Sequence, residues 1–189
     1  MELGHYGLSQ QAFDYAYKGY QRLIEKKCLT RPEYLSICDF SQSSKNRRLY
    51  LIDMVNTQLL VNTYVAHGHN SGTEYATRFS NKPESLQSSL GFYITGDSFF
   101  GSHGLSLRII GLEKGYNDNA SKRNIVIHGA DYVGGEWLTH SPYLGRSYGC
   151  PAVSLKESAF IINTIKNGTC LFIYHPGKKY LHGSKILNG

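Results

Sequence analysis

Ile125 to Val153 reads IVIHGADYVGGEWLTHSPYLGRSYGCPAV, and this stretch decides how the rest of the chain is read. Ile125, Val126 and Ile127 are β-branched residues of the kind that fill a buried strand. They deliver His128 to the strand's edge, where Gly129 is expected to end it. Cys150 follows 22 positions later, in Ser147-Tyr148-Gly149-Cys150. Gly145 and Gly149 bracket that second half, so the backbone there can bend tightly and present its amide groups. A thiol needs a neighbouring imidazole to ionise near neutral pH, and the anionic tetrahedral intermediate it forms needs fixed N–H donors. The pattern therefore predicts Cys150 as nucleophile and His128 as general base, with the Gly149 and Cys150 amides as oxyanion hole.

Working outward, the flanks are strand-rich. Ser9 can cap a helix over about 9–27, in which Phe13, Ala16, Tyr17, Tyr20, Leu23 and Ile24 recur at three- and four-residue steps. Pro32 breaks that pattern, and strand-like segments begin around Tyr34. RLYLIDM and QLLVNTYVA flank a turn at Val55-Asn56-Thr57, and further strands are expected near 90–95, 105–111, 124–128 and 169–174. After the nucleophile segment, Ser154 and Glu157 have capping-box spacing, SAFIINTIK is amphipathic, and Asn167-Gly168 supplies a stop. The expectation is a mainly β chain with helices (α+β), a mixed β-sandwich with an N-terminal helix and a helix after the nucleophile. At 189 residues, with no internal repeat or linker, it reads as one domain, residues 1–189, whose β-rich core covers about 34–176.

Composition narrows the partners. Twenty glycines and fifteen tyrosines suit a strand- and loop-rich protein, and a mean hydropathy of -0.34 with no apolar run near 18 residues predicts no stable membrane insertion. A net charge of +6 favours an anionic partner, yet no nucleic-acid motif is present, and Arg47-Arg48 and Lys178-Lys179 read as solvated surface. If Cys150 stays free, three cysteines remain, which cannot all pair. Cys38 and Cys170 lie in apolar runs and read as small buried hydrophobes, while Cys28 could pair with Cys38 in an oxidising compartment.

Strand-His-Gly followed by Ser-x-Gly-Cys resembles the YkuD-type L,D-transpeptidase catalytic domain, in the branch described as the murein L,D-transpeptidase catalytic domain family. SSKNRRLYLIDMVNTQLLVNTYVAHGHNSG, FSNKPESLQSSLGFYITG, GLSLRIIGLEKGYNDNASKRNIVIHGADYV and GRSYGCPAV look like its successive blocks, over roughly Phe40 to Pro176. The resemblance implies a cell-envelope enzyme of the periplasm or another extracytoplasmic site, with peptidoglycan stem peptides as donor and acceptor and neither cofactor nor metal. Met1 to Gln10 contain no basic or apolar leader pattern, so either an export signal has been trimmed and replaced by Met1 or the chain is never exported, and the resemblance favours trimming. Two departures stand out. The commonest family motif has His where Tyr148 stands and Arg soon after the cysteine, where this chain has Pro151-Ala152-Val153. Arg146, just before the Ser-x-Gly-Cys run, is the natural substitute for gripping a substrate carboxylate, with Ser147 and Tyr148 beside it.

Rival readings attach to other residues. His67-Gly68-His69 has the His-x-His form of zinc peptidases and, with His128 or Asp131, could complete a three-ligand site, although a metal would leave the Ser-x-Gly-Cys turn unexplained. His103, between mobile-looking glycines, could approach Cys150 from a flap, and Tyr132, Trp137 and Tyr143 could form a lid. No carboxylate has an obvious claim to orient His128: Asp131, three residues on, could do so, whereas the resemblance implies a backbone carbonyl or a residue just after the histidine. An L,D-carboxypeptidase would use the same side chains with water as acceptor, and a non-catalytic wall-binding module would keep only the scaffold. Papain-like hydrolases run Cys before His, the opposite order, and a sortase-like pattern resembles neither the spacing nor the residues after Cys150.

Overall fold

The computed structural model describes residues 2–189. Its elements in chain order are α1 (Gln10–Glu25), β1 (Tyr34–Asp39), β2 (Leu49–Asp53), β3 (Gln58–Thr63), β4 (Gly91–Gly101), β5 (Gly104–Gly111) and β6 (Val126–Ala130). There follow α2 (Gly135–Leu138), β7 (Ala152–Ser154), α3 (Leu155–Ile165), β8 (Cys170–Tyr174), α4 (Lys178–Gly183) and α5 (Lys185–Asn188). The eight strands are ordered β3-β2-β1-β8-β4-β5-β6-β7, antiparallel except at β1–β8 and β6–β7. The chain is thus a mixed-strand sheet with a few helices, as expected. In its hydrogen bonding the predicted sandwich is one continuous sheet, carried through its centre by the eleven-residue β4.

Both expected helices form. Ser9 Oγ accepts the Ala12 N–H at 3.1 Å, and Ala12, Ala16, Tyr20 and Leu23 bury one face of α1 against β1 and β8. α3 lies against β5, β6 and β7, burying Ile161, Ile162 and Ile165. Its start differs from a capping box. The Ser154 hydroxyl donates to Glu157 Oε2 at 2.7 Å instead of accepting a backbone N–H, and Thr63 Oγ1 reaches the same oxygen at 2.5 Å. A carboxylate is the strongest acceptor nearby, so it captures both hydroxyls and ties α3 to the end of β3.

Two further expectations are corrected. Gly129 does not end its strand: it sits inside β6 because a Cβ there would lie 2.8 Å from Ser158 Oγ and 3.1 Å from Leu155 Cδ2, so only glycine lets α3 approach. Cys28 does not pair with Cys38: all four thiols are free, and Cys38 and Cys170 are buried, as small hydrophobes should be.

Candidate active site

β6 and β7 run parallel in the register His128↔Ala152, Gly129↔Val153 and Ala130↔Ser154. Cys150, two residues before Ala152, therefore arrives opposite Val126, two residues before His128. Residues two apart on a strand share a face, so the ladder carries the cysteine and the histidine to the same side of adjacent strands. Both line one cavity of about 830 Å³, which runs on along β5 and β4 to Arg108 and Asp97.

His128 is only 2% exposed, and its Nδ1 lies 3.0 Å from the Gly129 carbonyl oxygen. A carbonyl can only accept, so Nδ1 carries the proton and Nε2 keeps a lone pair. The backbone thus orients the imidazole; Asp131 is exposed and plays no part in this contact. Burial lowers the His128 pKa below its ordinary value, against the Gly129 hydrogen bond, and the neighbouring His103 lowers it further. That neighbour sits at the β4–β5 hairpin, its ring stacked on His128 with centroids 4.3 Å apart and planes 18° off parallel.

Cys150 Sγ accepts the Val126 N–H at 3.4 Å and lies 3.7 Å from the Asn124 carbonyl oxygen. Burial raises its pKa, opposed by that N–H, by Arg123 and by its own backbone amide. Cys150 and His128 thus line the same cavity, the thiol pushed toward its protonated form and the imidazole toward its neutral form.

The turn before Cys150 is held from two sides. Gly149 adopts φ +124°, and a Cβ there would meet the Gln87 carbonyl oxygen at 2.8 Å, Ile125 Cδ1 at 3.0 Å and Arg123 Nη2 at 3.2 Å. Ser147, buried, accepts the Gly149 N–H at 3.1 Å and donates to the Cys150 carbonyl at 2.6 Å. This corrects the expected oxyanion hole. The Gly149 amide is already spent on Ser147 Oγ, which leaves the Cys150 amide as the N–H of the expected pair that can face a developing oxyanion.

The other predicted residues divide. Tyr148 is 76% exposed at the cavity's edge, and Arg146 lines the wall with its guanidinium over Tyr143, ring centroid 5.8 Å away. One arm of that fork is occupied: Arg146 Nη1 donates to the carbonyls of Gly72 at 3.1 Å and His69 at 3.3 Å. Trp137 and Tyr143 are packed within their own loop, the Trp137 indole donating to the Tyr143 carbonyl at 3.1 Å, so of the three suggested lid aromatics only Tyr132 lines the cavity.

His67 is not brought to the site. It is buried, its Nδ1 accepts from Arg48 Nη2 at 2.7 Å and its Nε2 faces the Gly72 carbonyl at 3.3 Å; Arg48, expected on the solvated surface, is itself fully buried because His67 and the Val65 and Gln42 carbonyls take up its donors. With both nitrogens engaged inside the protein, it offers no lone pair to a metal or a thiol. Burial and the Arg48 charge push its pKa down to about 3.

Residues 5–174 match the model of the L,D-transpeptidase catalytic domain family. The chain belongs to that family. No curated protein matches it. Among solved structures, an L,D-transpeptidase from Mycobacterium smegmatis is similar at 12% identity and TM-score 0.45, over 76% of this chain and 59% of the other. One from Mycobacterium tuberculosis H37Rv is similar at 14% identity and TM-score 0.43, over 76% and 58%. A variant of the Enterococcus faecium L,D-transpeptidase is similar at 11% identity and TM-score 0.44, over 75% and 50%. This L,D-transpeptidase-family chain thus spans about three-fifths or less of their length. Among its described residues no helix is long and apolar enough to cross a membrane.

Sequence reading missed Arg123, which contacts the nucleophile turn from below. A signal did exist: Arg123 lies in the short polar run Ser121-Lys122-Arg123-Asn124, just ahead of the strand that carries His128.

Proposed function

We propose that this chain is a cysteine L,D-transpeptidase acting on peptidoglycan stem peptides in the extracytoplasmic cell envelope, with residues 1–189 forming one catalytic domain. The observation that supports it most directly is that the β6–β7 register, His128↔Ala152, brings Cys150 and His128 into the lining of one cavity.

In this reading His128 Nε2 takes the Cys150 proton as sulfur attacks the carbonyl carbon of the L-centre that precedes a terminal D-residue. The carbonyl electron pair moves to oxygen, where the Cys150 N–H receives it. Collapse breaks the C–N bond, His128 returns the proton to the leaving amine, and a thioester remains. A second stem's amine then attacks, losing its proton to His128, and the thiol is regenerated. Arg146, through the arm not committed to Gly72 and His69, Ser147, through the turn, and Tyr148 contribute the donor site, and stem carboxylates suit the positive charge of the chain.

Mass spectrometry of muropeptides incubated with the protein tests this. Cross-linked dimers that vanish in Cys150→Ala are expected; trimmed stems alone would make the protein an L,D-carboxypeptidase, and full activity in the variant would end the cysteine mechanism. A carbapenem should add covalently to the wild type and not to Cys150→Ala.

A further inference from the structure

Among the described residues Arg123 has no acidic partner. Its Nη1 donates to the Ser80 carbonyl at 2.8 Å and Ser89 Oγ at 2.6 Å, and its Nη2 to the Gln87 carbonyl at 2.6 Å and Ser85 Oγ at 3.1 Å. All four acceptors are neutral, so the guanidinium keeps a full uncompensated charge while its geometry is fixed by four hydrogen bonds. Arg123 is half-buried, and a partly desolvated charge without a counter-ion interacts more strongly with an anion that forms nearby.

The nearest place for one is the nucleophile turn. Arg123 Nη2 packs under Gly149, so close that a Cβ there would lie 3.2 Å away, and the Gln87 carbonyl it holds packs against the same glycine. Ser88, between these anchored residues, receives the Gly68 N–H on its Oγ at 2.9 Å and donates to the Gly149 carbonyl at 3.3 Å. Residues 85–89 thus form a shelf that Arg123 fixes beneath Cys150.

We propose that Arg123 is a positioning residue of the cysteine reaction: it stabilises the negative charge that develops on Cys150 Sγ and seats the Gly149–Cys150 turn on the 85–89 shelf. The proposal rests on Cys150 being the nucleophile. Other groups face the same sulfur. His128, His103, Tyr132, Tyr148 and Arg146 line the cavity with it, and the Asp97–Arg108 ion pair, 2.6 Å long, lies farther along β4 and β5. Of these, Asp97 and Arg108 compensate each other and Arg146 is held at Gly72 and His69, whereas Arg123 is the cation fixed against Gly149 itself. Consistent with this, Arg123 opposes the burial that raises the Cys150 pKa.

The test is alkylation of Cys150 by iodoacetamide across pH, read on the Cys150 peptide by mass spectrometry so that Cys28 does not interfere. In Arg123→Gln the rate at neutral pH should fall about tenfold or more and the titration should move to higher pH, since a nearby opposite charge is worth that much. Arg123→Lys should lose thermal stability with the hydrogen bonds but keep a titration close to wild type. A Gln variant that titrates as wild type overturns the proposal. If the Gln variant does not fold, the Lys variant decides: an unshifted titration supports the charge, and a shift to higher pH assigns Arg123 to loop architecture alone. Failure of the underlying mechanism is separate, because it would appear as turnover surviving in Cys150→Ala whatever Arg123 does.

Discussion

His128 and His67 are both buried histidines in or beside strands, and burial lowers the pKa of each. They differ in what their second nitrogen meets. His128 gives Nδ1–H to a backbone carbonyl and turns Nε2 toward a cavity shared with a thiol. His67 receives Arg48 on one nitrogen and faces the Gly72 carbonyl with the other, inside a cluster that also stacks Arg48 on Phe40, 4.8 Å from the ring centroid. Chemistry therefore follows from a free lone pair at a cavity, and neither burial nor a His-x-His spacing supplies one. In His67 the same side chain has become a structural acceptor for a buried cation.

The sharpest way to break this comparison is to remove each ring in turn. His128→Ala should slow acylation and Cys150 alkylation by roughly 10²–10⁴-fold, the scale of lost acid–base catalysis, with the fold retained. His67→Ala should instead cost roughly 2–4 kcal/mol of stability, because it opens a void and strands a buried Arg48 donor, while turnover per folded molecule stays near wild type. Chemical denaturation alongside rate measurements separates the two; a His67 variant that is stable and inactive would reverse the assignment.

Acid should show the second difference. The folded His67 stays neutral down to about pH 3, whereas the unfolded ring takes up a proton below its ordinary value of 6.5. Its contribution is fully present above about pH 6.5 and is lost as pH falls toward 3, by roughly 1.4 kcal/mol per pH unit. His67→Gln, which can still accept from Arg48 but does not titrate, should flatten that slope; an unchanged slope would place the acid sensitivity elsewhere.

Smaller effects are expected at the cavity wall. Arg146→Lys keeps the charge and loses the planar fork, so donor affinity should fall on the order of tenfold, seen in KM more than in melting temperature. His103→Ala removes a group that depresses the His128 pKa, so the acidic limb of the pH–rate profile should move to higher pH with a modest change in rate. If His103→Ala abolishes alkylation and His128→Ala does not, the stacked pair has been assigned the wrong way round.

Much of this was legible in sequence because it is local. β-branched runs, a helix cap at Ser9 and the Asn167-Gly168 stop are written in adjacent residues, and the two residues of the site announce themselves through Ser-x-Gly-Cys and a strand-borne histidine. What escaped depends on distant partners. β7 is only three residues long and exists because β6 offers it a ladder. α4 and α5 carry weak local signals and are held by Glu113, which accepts from Tyr180 at 2.7 Å and also from Ser184 across more than sixty residues. The commitment of the Gly149 amide to Ser147, and of Arg123 to a segment some forty residues earlier, likewise has no sequence pattern of its own.

The short β6–β7 ladder also frees the chain between its strands. Because three paired positions set where Cys150 and His128 reach the cavity, the number of residues travelling from one strand to the other is not a geometric constraint on them. In the stretch around α2, Gly134 to Tyr143, the Trp137 indole bonds the Tyr143 carbonyl within the loop, and Trp137 and Leu138 pack on a small cluster of Ala66, Ala130, Val133, Leu144 and Ala152. Length and composition there can drift, or be replaced outright, while the reacting atoms stay in register. The scaffold thereby separates an inherited chemistry from an adjustable doorway, and inserting a few glycines after Glu136 should change which acceptors enter without changing how fast iodoacetamide finds Cys150.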